Sequence, residues 1–473
     1  MNSIKRFYTY SFFLVWSTFL ISCQSKQNLP ISMLPMQEVA TWEALPKPEV
    51  FFSDSNLQVL LQAAMRQNPD YLQMQAMVGI SRATRDAATG ALLPRFEIFA
   101  GAARRRFSEY SMDGVGNFDT NFSPNIRPDQ RMPNPLPDYV VQARVSWELD
   151  IWGKLSAMRK AAAQRYLASE AGLAWQRTVL AADVANTYYE LLAFDAMQRI
   201  IERNVEVQLD AVNLVKLQQQ AGRATALAVQ QTEAQWLRTK ALGAQIQIQR
   251  MRTANALFLL TGSFAEVLHT TTELEVSSSN IDIPEAIPVK WLEKRPDLKQ
   301  AELELKAAGA DVYAARAAFF PSVRLAPEIG QHSFNPATFF DPASLAWQAA
   351  AGLTAPVFQQ RELKARLRQQ EAMQVMAQQA YRKASLQAYN EVYEALFVAG
   401  RLQEALDAKA AEVASLQAGV KSSLELYTAG YATYLEVIIA QNDVLAAEME
   451  LVQVKLALLQ NMVLLYRAVG GSW

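Results

Sequence analysis

Few residues of this chain could do chemistry. Two histidines, His269 and His332, and one cysteine, Cys23, are its whole supply of imidazole and thiol groups. A metal site needs three or four convergent ligands at short, regular spacing, and the two histidines stand far apart in loop-like contexts, so neither a metal nor a cofactor is expected. The carboxylates are many, but they fall at the intervals of solvated helix faces. No Gly-rich phosphate loop and no Ser-His-Asp grouping accompanies them, so the sequence does not read as an enzyme. The net charge of −1 gives no basic field for nucleic acid. One cysteine also excludes a disulfide framework within the chain, which leaves the chemistry of a single thiol.

That thiol has a telling position. Lys5 and Arg6 precede an apolar run through Phe12, Phe13, Leu14, Val15, Trp16, Phe19, Leu20 and Ile21, too short to span a membrane comfortably. The run stops at Leu20-Ile21-Ser22-Cys23, which resembles a bacterial lipobox, in which the cysteine becomes the acylated first residue of the mature protein. Each buried methylene of such acyl chains contributes about 0.8 kcal/mol, so Cys23 would anchor the chain in outer-membrane lipid. Gln24 stands where an Asp would resemble an inner-membrane retention signal, which favours the outer membrane. Residues 1–22 are therefore expected to be a signal peptide, and 23–56, with Pro30, Pro35, Pro46 and Pro48, a lipid anchor and extended linker.

Two long stretches dominate the remainder of the chain. From Ile151 to Leu260 and again from Val357 to Tyr466 there is no proline, Ala, Gln, Leu, Glu and Arg abound, and a single obvious break interrupts each, at Ala221-Gly222-Arg223 and Ala429-Gly430-Tyr431. Each reads as a very long helix turning sharply into a second one, the first arm of each, 152–220 and 358–428, reaching about 100 Å at about 1.5 Å per residue. Leu445, Met449, Val452, Leu456, Leu459, Val463 and Tyr466 recur with coiled-coil steps of four and three.

The chain is internally duplicated. Asn68-Pro69-Asp70 opens a helix that closes at Leu92-Leu93-Pro94, and Arg295-Pro296-Asp297 opens one that closes at Phe319-Phe320-Pro321, with the same 25-residue interval between prolines. Asn is a good N-cap and Arg a poor one. After each of these helices the period changes to two. Residues 139 to 150 alternate apolar and largely polar and pair plausibly with Arg95 to Phe107 across a Gly-, Asn- and Pro-rich loop; Ser322 to Gly330 and Leu345 to Leu353 repeat the hairpin. The expected organisation is a first repeat over 57–262, a linker region over 263–295 and a second repeat over 296–473. The fold class is mainly α with β.

These strands point to an assembly. Only helices and closed barrels cross a membrane, because open sheet edges leave backbone groups unpaired in hydrocarbon. No mature segment reads as apolar enough for a spanning helix, and four strands cannot close when the smallest outer-membrane barrels have about eight. Three copies would pool 12 strands above 12 helical strands.

At this point the sequence resembles the TolC-like outer-membrane efflux factor family, in its lipidated branch. The resemblance rests on the duplicated Pro-Asp helices, on Trp147-Glu148-Leu149-Asp150-Ile151-Trp152-Gly153-Lys154, on Tyr427 to Val437 across the second tip, and on the terminal Leu465 to Trp473. It implies a homotrimer in which an outer-membrane β-barrel continues into a long periplasmic α-barrel. The implied partners are a periplasmic adaptor and an inner-membrane pump, and the implied role is passive export of small molecules. It further implies that the turns at Gly222, Arg223, Ala224, Gly430 and Tyr431 meet the adaptor, with Arg223, Ala224 and Tyr431 as exposed contact candidates. The periplasmic gate would involve Leu435, Ile439, Tyr427, Asn442 and Glu436. Where the family segment commonly reads Tyr-Leu-Asp-Val-Leu-Asp-Ala-Gln-Arg, this chain has Ile439 in place of the second Asp and Asn442 in place of the Arg. Leu435 and Ile439 share a helix face, so apolar rings could replace the acidic one. Two other readings stand beside this one: a channel for secreted proteins, and a periplasmic coiled-coil adaptor or structural lipoprotein without a pore.

Overall fold

The computed structural model describes Phe52, residues 54–264, Leu274 and residues 292–471. Cys23, His269 and most of the expected 1–22, 23–56 and 263–295 segments lie outside the described residues. Helices α1 (Ser55–Gln67) and α2 (Pro69–Gly90) meet at Asn68, whose Oδ1 accepts the Tyr71 amide at 2.9 Å as an N-cap. Strand β1 (Arg95–Arg105) pairs antiparallel along its whole length with β2 (Leu136–Leu149). The connection between them is not merely loop. It holds the short helix α3 (Met112–Thr120), which Ser111 caps by accepting the Gly114 amide, and Asn121 bonds both backbone groups of Met132 to fasten it.

Helices α4 (Lys154–Gln220) and α5 (Ala226–Thr261) form the first long hairpin. At about 1.5 Å per residue α4 is about 100 Å long. The second repeat supplies α6 (Pro296–Ala317), then strands β3 (Ser322–Leu325), β4 (Glu328–Ser333), β5 (Leu345–Gln348) and β6 (Ala351–Thr354), then the hairpin of α7 (Gln360–Thr428) and α8 (Tyr434–Ala468). Both tips turn through a glycine in the left-handed region, Gly222 at φ +73° and Gly430 at φ +81°. An L side chain is costly there, and each helix ends because glycine allows the reversal.

The two strands expected in the second hairpin are each interrupted. Pro327 lacks an amide hydrogen and cannot donate to the ladder, so the first divides into β3 and β4 and its partner into β5 and β6. The register nonetheless passes through unchanged: Arg144 faces Glu328 and Trp147 faces Leu325, then Glu328 faces Gln348 and Leu325 faces Ala351. In effect four strands run as a meander, and the sheet remains open with β1 at one edge and β5/β6 at the other.

The helices lie in one layer. In the upper half α2, α4, α6 and α7 are successive neighbours, and in the lower half α5, α4, α8 and α7. Helix α5 thus abuts the start of α2 end to end, and α8 abuts the start of α6. The main core joins α1, α4, α5 and α8 through Leu57, Leu61, Val184, Tyr188, Leu191, Leu257, Val452, Leu459, Val463 and Tyr466, which includes four members of the expected stripe. One expectation is corrected by this helix. Among the described residues, α8 is long and apolar enough by length and composition to cross a membrane. Its apolarity has a local reason, since α8 packs against both α4 and α7 and buries residues around most of its circumference.

Candidate functional site

The sheet has one apolar and one polar face, fixed by the period of two. Phe96, Ile98, Val141, Val145, Leu149, Ile329, Trp347 and Leu353 share the apolar face through successive ladder pairs. Among the described residues most of them are left uncovered: Ile98 is 85% exposed and Trp347 74%. A face of this size exposed to water would be an aggregation site, whereas facing hydrocarbon it needs no cover.

The opposite face is lined with charge. Arg144 lies 3.6 Å from Glu328 and above the Phe99 ring at 4.1 Å, Gln142 donates to Glu328 at 3.0 Å, and Arg324 lies 3.6 Å from Glu148. His332 belongs here too, on β4 rather than in the loop the sequence suggested, with Nε2 2.6 Å from Asp138 Oδ1. Among the described residues no group of three or more His, Cys, Asp or Glu side chains is placed to hold a metal.

The far ends of the hairpins are closed together by a second apolar cluster, Val215, Val229, Tyr434, Val437 and Ile438, with Tyr427 and Ala224 packed on it. The Tyr427 and Tyr434 rings meet edge to face at 5.1 Å. Tyr427 donates its hydroxyl to Gln218 Oε1 and so ties α7 to α4. Asn442 accepts from the Gln235 amide, which ties α8 to α5. Glu436 stays at the helix start, where it accepts from Thr433 Oγ1 at 3.3 Å.

Of the candidate gate residues Tyr427 lies on α7 and the other four on α8. Leu435 and Ile439 are each 50% exposed, while Ile438 between them is buried to 9% in the cluster. At the turns Gly222, Arg223, Gly430 and Tyr431 are exposed, but Ala224 is not the exposed contact the sequence suggested. Its methyl is drawn against the tip cluster because Thr225 caps α5 immediately after it, accepting the Ala228 amide at 3.2 Å.

Sequence reasoning passed over Gln218 and Gln235, whose roles depend on cross-hairpin partners. It also passed over Glu448, which a charge adjacent to the Leu445–Val452 seam could have flagged. Its carboxylate is buried and accepts from Arg203 and Gln417.

Comparison with known proteins places these features. The pattern of the outer membrane efflux protein family matches residues 60–263 and 287–471. The chain is 29% identical over 431 residues to the toluene efflux pump outer membrane protein TtgF of Pseudomonas putida, covering 90% of this chain and 85% of that one. It is 30% identical over 436 residues to the pyoverdine export outer membrane protein OpmQ of Pseudomonas aeruginosa, covering 91% and 87%. A crystal structure of CusC, described in terms of transmembrane channel formation, superimposes with a TM-score of 0.81 at 26% identity over 93% of this chain and 98% of that one. These relatives are channel proteins. With its open amphipathic sheet and paired long hairpins, the chain belongs to the outer membrane efflux protein family and is an outer-membrane efflux channel extending into the periplasm.

Proposed function

We propose that three copies of this chain form a passive, non-enzymatic conduit for small molecules, fed by an inner-membrane pump through a periplasmic adaptor. The observation that carries this is the open sheet with an uncovered apolar face. In hydrocarbon both of its edges need partners, so β5/β6 of one copy pairs with β1 of the next until the ring closes. The helical layer has the same property. Its outer helices carry unpartnered apolar residues, Met77 and Ile80 on α2 and Tyr393 and Phe397 on α7, which a neighbouring copy would cover. Three copies of four strands make a 12-stranded barrel, within the even-numbered range of such barrels.

TtgF and OpmQ are named for toluene and pyoverdine, and both names favour small molecules over proteins as cargo. Lipidation at Cys23 would supplement barrel insertion. At the tip, Leu435 and Ile439 from three copies would form stacked apolar rings that close the lumen by excluding water, in place of an acidic ring. Arg223 and Tyr431, exposed at the turns, are the surface offered to the adaptor. Purified protein in detergent should have the mass of three chains and give discrete conductance steps in a planar bilayer; a monomer that never conducts would overturn this reading.

A further inference from the structure

Where the helical layer meets the sheet, a groove of about 1030 Å³ opens between α2, α4 and α6. Small side chains make it, since Gly153 and Ala163 of α4 and Ala310 of α6 leave its walls hollow. Its charge is one-sided. Arg85, Arg159, Lys160 and Lys306 line it, and no Asp or Glu does. From beyond the walls Asp86 answers Arg85 at 2.7 Å and Glu302 answers Lys306. Arg159 and Lys160 are exposed and, among the described residues, have no ion-pair partner. The groove opens on the side of the sheet's apolar face. Lys154 marks the other side, because its Nζ pairs with Glu148 on the charged face, beside Arg324. At 3.6 residues per turn, Ser156 and Ala163, which line the groove, lie about 180–200° around α4 from Lys154.

An apolar ledge adjoins the groove on the sheet side. Trp152 stacks on Phe320 with ring centres 4.8 Å apart, the Tyr313 hydroxyl at the groove's edge reaches the Trp152 carbonyl at 3.5 Å, and Phe358 beside them is 99% exposed. Aromatic rings at the hydrocarbon boundary with cations just beyond them match the order in which a phospholipid presents its acyl chains and its headgroup. The headgroup zone is about 5–8 Å deep on each side of a bilayer. Residues 156 to 160 lie about 5–10 Å along α4 from Gly153 at about 1.5 Å per residue, which sets their cations at the depth of the phosphates. We propose that this groove binds the headgroup of an anionic phospholipid of the inner leaflet, one per chain, with Arg159 and Lys160 on its phosphate and Trp152, Phe320 and Phe358 against its acyl chains. The phosphate supplies the acceptors that the two cations lack, and a net negative headgroup suits four cations with no carboxylate among them. The inference needs the sheet to lie in the membrane, and it needs neither the trimer nor the gate. Such a lipid seats the channel at a fixed depth, independently of Cys23.

The test is non-denaturing mass spectrometry of the full-length protein in detergent, titrated with phosphatidylglycerol or with zwitterionic phosphatidylcholine. Wild type should take up one phosphatidylglycerol per chain in preference to phosphatidylcholine. R159Q/K160Q should bind it about tenfold more weakly, while R159K/K160R, which keeps both charges, should bind as wild type does. The control R238Q/K421Q removes two exposed cations from the tip halves of α5 and α7 and should change nothing. Arg159 and Lys160 are exposed, so thermal unfolding should be unaltered in R159Q/K160Q; if that variant does not fold, R159Q and K160Q singly decide, each expected to weaken binding about threefold. Binding equal to wild type in R159Q/K160Q overturns the site. So does a loss shared by the control, which would show adsorption by charge alone, and so does equal uptake of the two lipids, which would show an apolar belt alone. A wild-type protein that does not enter bilayers defeats the placement of the sheet instead.

Discussion

Arg295 donates through Nη1 to the Ala468 carbonyl at 2.7 Å, fastening the start of α6 onto the end of α8. The duplicated position does the same by other means, since Asn68 Nδ2 donates to the Leu260 carbonyl at 2.9 Å and joins α2 to α5. In each repeat a short helix is thus spliced onto the end of a long one through an otherwise unpaired terminal carbonyl. Asparagine manages this as an N-cap. Arginine cannot cap, but it reaches further and brings a buried charge, answered by Asp297 and Glu391 at 2.8 Å each. Burial opposes that charge, and the bonds and charges of Asp297 and Glu391 outweigh it, so the guanidinium is held more firmly charged than usual.

The two splices should therefore differ in cost. Replacing Arg295 by Met leaves Asp297 and the Ala468 carbonyl without this partner and Glu391 with Arg467 at 3.7 Å, and should destabilise the protein by about 3–5 kcal/mol. Asn68→Ala should cost about 1–2 kcal/mol, as the loss of a capping side chain does. Denaturant titration of both variants checks the order, and equal small effects would show that the splice is made elsewhere.

At the tip, Ile439→Ser and Ile438→Ser should separate gating from packing. Ile439 is half exposed on the face it shares with Leu435, so its substitution should raise conductance or antibiotic entry with little loss of stability. Ile438 lies inside the tip cluster, and Ile438→Ser should lower stability by about 2–4 kcal/mol through cavity formation and a buried hydroxyl. The idea fails if conductance responds equally and weakly to both.

Alkaline pH should loosen the same cluster. Burial, with the nearby Tyr427 second, pushes the Tyr434 phenol up to about 12, against about 10 in an unfolded chain. Between those values the unfolded state has released its proton while the folded state still holds it. The folded state is then favoured less as pH rises, so this contribution is complete below about pH 10 and lost progressively toward 12. Melting temperatures of wild type and Tyr434→Phe, measured from about pH 9 to about pH 11.5, should converge at the low end and diverge at the high end. Parallel curves would mean that the phenol does not titrate with unfolding.

Cys23→Ala should reduce the fraction of protein retained in the membrane more than it reduces pore formation, since in the proposed assembly the barrel also inserts. Mass spectrometry of the purified protein gives the direct check: an N-terminus that still carries residues 1–22 is incompatible with lipidation at Cys23.

Much of this architecture is dictated locally. The absence of proline over two stretches of more than a hundred residues, the glycines at their midpoints and the matched proline intervals determine two repeats with long hairpins, because helix propagation and termination depend on near neighbours. The alternation from Tyr139 to Asp150 and the free edges it requires likewise determine a sheet that one copy cannot close. What the tertiary structure alone decided is how positions distant in sequence meet. Pro327 splits a strand without shifting its register because the neighbouring strand β2 runs unbroken through Val145. The faces of α8 are assigned by α4 and α7, so Ile438 is buried and Ile439 is not, though both are isoleucine. Glu448 looks like any solvated helix carboxylate until Arg203, 245 residues earlier, is laid against it. Periodicity specifies that a stripe will be buried, but only packing specifies which partner covers it.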